Sequence, residues 1–140
     1  MSKYTLTIIK PTAVKKGYYG NIISEIVEAD FKIIAMKMVH MDKEQASQFY
    51  AVHRDRPFFD DLTSFMSSGP VFVAILEKDN AIDDFRRLIG ATNPKEAAEN
   101  TIRAHFGTSL SQNAVHGSDS IENAKTEADF FFSKIERFCF

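Results

Sequence analysis

One cysteine, four prolines and six glycines are all that 140 residues contain of these types. The single thiol, Cys139, rules out an intrachain disulfide. No repeat or low-complexity segment interrupts the chain, and no apolar run approaches the ~20 residues of a membrane-spanning helix. Its aromatic end (Phe130, Phe131, Phe132, Phe138, Phe140) is broken by Lys134, Glu136 and Arg137, so these rings are expected in a core or a subunit contact. Neither sign of charge dominates: 17 basic and 19 acidic residues interleave to a net charge of -2. An extended basic face is therefore missing, and nucleic acid is not expected as the main partner. The start, Met1-Ser2-Lys3-Tyr4, runs into a strand pattern without a secretory apolar segment, which makes the cytoplasm the expected compartment and leaves no membrane role.

What the chain has is a length that suits one domain, residues 1–140, with a substantial core of its own. Tyr4 to Lys10 reads as a strand closed by Pro11, which has no backbone donor for a continuing ladder. Gly17 and Gly20 punctuate a loop, and Ile22, Ile23, Ile26 and Val27 then form the apolar face of a short helix. From Phe31 to about Met41 both alternating sets are apolar, which predicts a central strand covered on both faces. Asp42 with Gln45 spells a capping box opening a helix that carries Phe49 and Tyr50. A helix over Phe59 to Met66, a buried strand over Val71 to Glu77 and a helix capped by Asp79 or Asn80 and ending near Gly90 follow. Ala91 to Gln112 reads as a long ordered loop with a helical turn at Thr101 to Phe106. A strand ending at His116 and a helix capped by Asp119 or Ser120 complete a sandwich of helices on a small sheet.

Several chemistries are excluded by what is missing around their partial motifs. His53-Arg54-Asp55 starts like a protein-kinase catalytic loop, but Asp60 stands where its Asn belongs and no Asp-Phe-Gly follows. No glycine precedes a Lys-Ser or Lys-Thr as a phosphate loop requires. Gly117-Ser118-Asp119 lacks the second glycine of a hydrolase elbow. His40, His53, His105 and His116 are far apart and joined by no further cysteine, which leaves no dedicated zinc site.

His116 is what remains, in Asn113-Ala114-Val115-His116-Gly117-Ser118-Asp119-Ser120. Small and polar neighbours leave its imidazole open and supply groups to fix its tautomer, which a nucleophilic histidine needs. With it stand Arg56-Pro57-Phe58-Phe59, Ser68-Gly69-Pro70, Gly90-Ala91-Thr92-Asn93-Pro94 and Thr101-Ile102-Arg103. In these five blocks, and in their order along nearly the whole chain, the sequence resembles nucleoside diphosphate kinases.

The resemblance implies an α+β fold, a ferredoxin-like βαββαβ sandwich with a four-stranded antiparallel sheet. It implies transfer of the γ-phosphate, mainly of ATP, to nucleoside diphosphates by a ping-pong route through a phosphohistidine at His116, maintaining NTP and dNTP pools. Lys10, Phe58, Leu62, Arg86, Thr92, Arg103, Leu110 and Asn113 would bind the nucleotide. Phe58 would stack any base, with Leu62 and Leu110 adding apolar contact. Lys10 and Asn113 would meet the ribose hydroxyls, Lys10 also reaching the transferred phosphate. Arg86, Arg103 and Thr92 would grip phosphate oxygens, and Tyr50 would hydrogen-bond near them. Glu127, supported by Ser118, would hold the second ring nitrogen of His116. Mg²⁺ would be held by nucleotide phosphates and water without direct protein ligands, and a homo-oligomer, tetramer or hexamer, is expected.

Ordinary readings apply to the neighbours: Phe59 is expected to pack inward and Arg87 to be a solvated helix residue. The chain departs from the family at Thr12, where Asp or Asn is commoner, and at Ala104-His105, where Gly-Asp is frequent. His105 is thereby expected to add a titratable charge near the phosphates. Two other functions compete, a ferredoxin-like nucleic-acid-binding module and a catalytically inactive structural relative. The absence of paired aromatics on a basic strand opposes the first, and intact His116, Arg86, Arg103 and Lys10 oppose the second.

Overall fold

The computed structural model describes residues 2–140. Four strands form one antiparallel sheet: β1 (Tyr4–Ile9), β2 (Lys32–Val39), β3 (Val71–Glu77) and β4 (Val115–Gly117), in the order β2-β3-β1-β4. This is the ferredoxin-like α+β arrangement. Period-two alternation sorts the strands' side chains to the two faces. Leu6, Ile8, Val71, Val73 and Ile75 enter one core with Met66, Ala128 and Phe131. Ile9, Ala74, Leu76 and Val115 enter the other with Ile22, Ile26, Phe85, Ile89 and Ile102. The first core is covered by α3 (Lys43–Phe49), α4 (Phe59–Met66) and α7 (Ile121–Phe131), and the second by α2 (Tyr19–Glu28), α5 (Ala81–Ile89) and α6 (Ile102–Phe106).

The second strand corrects the expectation of a central position. β2 lies at the edge, paired only with β3, and its Met36 and Met38 are 45% and 53% exposed. A register shift between Ile33 and Ala35 turns both Ile34 and Ala35 into the core, as a bulge does. Apolar residues on both alternating sets thus reflect a bulge and an uncovered outer face. Pro11 also does more than end a strand, since it opens α1 (Pro11–Lys15), a position where its fixed φ and missing N–H cost nothing. Gly20, expected in a loop, lies inside α2.

The capping box at Asp42 is present, with Asp42 accepting from the Gln45 amide at 2.8 Å and Gln45 returning a bond at 2.9 Å. At α5 the flanking residue is Asn80, but its side chain makes no capping bond. The buried Ser2 caps from the other end of the chain, its hydroxyl accepting from the Ile82 amide at 3.0 Å. Between residues 91 and 112 the expected helical turn is α6, preceded by a 3₁₀ turn at Pro94–Glu96. Among the described residues no helix is long and apolar enough to cross a membrane.

At α7 the choice between Asp119 and Ser120 falls to Ser120, whose hydroxyl accepts from the Asn123 amide at 3.0 Å. The last serine of the His116 block is thereby a helix cap. Ser120→Ala is expected to lower unfolding free energy by about 1 kcal/mol, seen as a lower urea midpoint at unchanged slope.

Candidate active site

Three residue pairs join β4 to β1: Thr7 with Gly117, Ile8 with His116, and Ile9 with Val115. Alternation along β4 sends Val115 into the core under α5 and α6, and turns His116 to the opposite face, under α3 and α7. Gly117 follows, and a Cβ there would stand 3.0 to 3.2 Å from the Phe85 ring and 3.1 Å from Ile89. A larger residue would push the strand off α5.

The imidazole is held from behind. Its Nε2 lies 2.8 Å from Glu127 Oε1, and the Ser118 hydroxyl donates to the same oxygen at 2.7 Å. Ser118 is fully buried and accepts from the Leu6 amide at 3.1 Å, so the chain of bonds ends in the sheet backbone. A carboxylate can only accept, which places the proton on Nε2 and leaves the lone pair on Nδ1. The Phe49 and Tyr50 rings stand edge-on to the imidazole, centroids 5.7 and 6.4 Å away. Tyr50 is buried, and burial first, then the Glu127 charge, raises its phenol pKa, keeping it a protonated donor.

Cations collect around the start of β4. Lys10, buried at the end of β1, donates to Asn113 Oδ1 at 2.7 Å. The Asn113 amide donates to the Thr92 carbonyl at 2.9 Å, drawing the 91–94 loop to the strand. Arg103 donates to the carbonyls of Gly90 at 3.0 Å and Val115 at 2.9 Å, and its buried Nε has no partner among the described residues. Arg86, Gly90, Thr92 and Arg103 line a depression of about 350 Å³. Gly90 holds φ +87°, and a Cβ there would lie 2.5 Å from the Thr101 hydroxyl, so only glycine fits its rim.

Asn113-Ala114-Val115 is itself strained. Ala114 has φ +75°, and the Val115 amide reaches back to the Asn113 carbonyl at 3.0 Å. Such a γ-turn costs on the order of 1–3 kcal/mol outside glycine. The buried Lys10 amide bonding the Ala114 carbonyl at 2.8 Å helps hold it.

The electrostatics point one way. Burial first, then repulsion from Arg103, brings Lys10 down to about 7, and burial, then Arg86, brings Arg103 down to about 10. Among the described residues none of Lys10, Arg86 and Arg103 forms an ion pair. Converging cations without a carboxylate are arranged for an external anion.

The remaining residues fall around this centre. Phe58 is 48% exposed while Phe59 packs on the core. Leu62 lies one helical turn beyond Phe58 on α4, and Leu110 is exposed on the loop before Asn113. Arg87 is exposed and pairs with Asp84, in keeping with a solvated helix face. His53, set aside with the kinase-like motif, lies between the Tyr50 and Phe58 rings at 6.5 and 5.6 Å. Only its spacing from both aromatics could have pointed to it. His105 turns from the phosphate side to α2, where its Nδ1 lies 2.9 Å from Glu25, because successive side chains on a helix such as α6 diverge from Arg103.

A held imidazole, with unneutralised cations around the strand that carries it, is suited to chemistry on an anionic group. The family model "Nucleoside diphosphate kinase" matches residues 3–137. Nucleoside diphosphate kinases of Chlamydia caviae and Campylobacter lari are 57% and 58% identical to the chain, each over 94% of it and over 94% and 96% of their own lengths. The Aquifex aeolicus nucleoside diphosphate kinase superposes with a TM-score of 0.95 at 48% identity, covering 96% of this chain and 98% of that one. The Halobacterium salinarum nucleoside diphosphate kinase in complex with CDP gives 0.94 at 36% identity, covering 100% and 93%. The chain belongs to the nucleoside diphosphate kinase family, and it is an enzyme of phosphate transfer between nucleotides.

Lys10 gives a stability test. Its folded pKa lies below its ordinary 10.5, so between about pH 7 and 10.5 the unfolded chain binds the extra proton and stability rises with pH. The burial penalty at and below neutral pH is on the order of 4–5 kcal/mol, at ~1.4 kcal/mol per pH unit. Lys10→Met is expected to be the more stable protein at pH 7, with the difference shrinking toward pH 10 in paired urea titrations. A constant difference would contradict the buried charge.

Proposed function

We propose that His116 Nδ1 attacks the γ-phosphorus of a nucleoside triphosphate, mainly ATP, and later returns the phosphoryl group to a diphosphate bound in the same place. The carrying observation is the His116–Glu127–Ser118 chain, which occupies Nε2 and leaves the lone pair on Nδ1 while a carboxylate steadies the growing positive charge on the ring. In the first half-reaction the bond between γ-phosphorus and the β,γ-bridging oxygen breaks as the N–P bond forms. The nucleoside diphosphate leaves with that oxygen, and the second half-reaction reverses these events on another diphosphate. One site serving donor and acceptor in turn makes the kinetics ping-pong.

Arg86, Arg103, Thr92 and Lys10 bind the phosphates, where charge spreads in a loose, metaphosphate-like transition state. Lys10 and Asn113, already hydrogen-bonded to one another, face the ribose, with Lys10 reaching the transferred phosphate. Tyr50 donates near the same phosphates. Phe58 is the stacking platform for the base, with Leu62 and Leu110 beside it, and the CDP held by a relative supports a site that accepts more than ATP. The nucleotides enter as magnesium complexes, the ion held by phosphate oxygens and water. The protein works as one domain in the cytoplasm and assembles as a homo-oligomer. The intact cations and imidazole disfavour an inactive structural role.

Two measurements test this reading. Incubation with γ-labelled ATP alone is expected to give an acid-labile, base-stable label that GDP or dCDP discharges, absent in His116→Ala. Equal labelling of that variant, or no label on the parent, overturns it. Phe58→Ala is expected to raise KM about 5- to 150-fold, since a base stack is worth ~1–3 kcal/mol. The rise should be similar for purine and pyrimidine diphosphates, and a loss confined to one base would contradict a platform.

A further inference from the structure

A second cavity lies away from β4, at the end of the first core where α7, the sheet and the last residues of the chain meet. It is half-open and holds about 720 Å³, within the roughly 300–1,000 Å³ of small-molecule sites. Its apolar lining comes from Ile34 of β2, Ile75 of β3, Ile121, Ala124 and Ala128 of α7, and Phe138. The segment that carries Phe138 is pinned in place. The Phe138 amide donates to the Ile34 carbonyl at 2.8 Å, and Arg137 donates to Asp129 and to the Phe132 carbonyl, both at 2.8 Å.

The charged residues of its lining are basic. Lys3, Lys125, Lys134 and Arg137 line the cavity, and among the described residues no acidic one does. Lys3 pairs with Asp79, and Lys125 and Arg137 with Asp129, carboxylates outside the lining. Lys134 has no ion-pair partner among the described residues. A cavity lined by apolar side chains and by cations matches an apolar tail carrying one negative head, because the tail leaves water and the head keeps charged donors.

We infer that this cavity binds a single-chain amphiphile with an anionic head, a medium-chain fatty acid being the simplest, at a site separate from the nucleotide cleft. The tail lies along Ile34, Ile75, Ala124 and Ala128, and the carboxylate faces Lys134 and its neighbouring cations. Cys139, the chain's one thiol, is exposed at the cavity wall and reports on occupancy.

The test follows the reaction of Cys139 with a chromogenic disulfide reagent while dodecanoate is added below its micelle threshold. Saturable slowing is expected, with decanoate needing about tenfold more ligand for the loss of two buried methylenes. Dodecanol should protect more weakly and ADP not at all. Ala124→Phe fills the chamber and should abolish protection, and the surface change Lys134→Glu should weaken it several-fold with folding intact. An unchanged Cys139 rate at saturating dodecanoate overturns the proposal. So do protection by dodecanol equal to that by dodecanoate, protection surviving in both variants, or slowing that tracks protein concentration and so reports a second copy covering the cavity.

Discussion

The three-residue ladder between β4 and β1 is the contact on which the site depends. It is short, yet it joins residues more than a hundred positions apart and fixes the face from which each side chain leaves. A slip of one residue would exchange Val115 and His116, placing the imidazole in the core and an aliphatic side chain in the cleft. Gly117 guards that register by closing on Phe85 and Ile89. The Ser118 amide and hydroxyl continue it, meeting the carbonyl and amide of Leu6.

The same short strand gathers the chemistry. Glu127 and Ser118 orient the imidazole, and Arg103 grips the Val115 carbonyl one residue away. Cations without carboxylates cost stability in the empty protein, and the positive φ of Ala114 adds strain where the chain turns into β4. Local instability of this kind is characteristic of functional sites, where the surrounding structure holds what it costs.

Much of the fold was legible because each local signal had one physical meaning. Asp42 and Gln45 marked a helix start through a reciprocal bond three residues apart, and Val71 to Glu77 read as buried because its apolar run was unbroken. The reading of β2 failed because apolarity on two faces does not distinguish a covered strand from an edge strand with a bulge. The cap of α5 was illegible for another reason: Ser2, which supplies it, is remote in sequence from Ile82. His105 shows the same limit, since neighbouring positions on a helix point to different places.

By itself the sequence determined the chemistry available: a histidine with small neighbours, the lysine and arginines, an aromatic at Phe58 and the helix that carries Glu127. The order of its blocks carried the family likeness. Tertiary structure decided that the nitrogen Glu127 meets is Nε2, that Lys10 lies buried against Asn113 near Arg103, and that apolar and basic side chains line a cavity beside α7. Those outcomes depend on distances between segments joined only by sheet pairing and core packing, and spacing along a chain does not encode them.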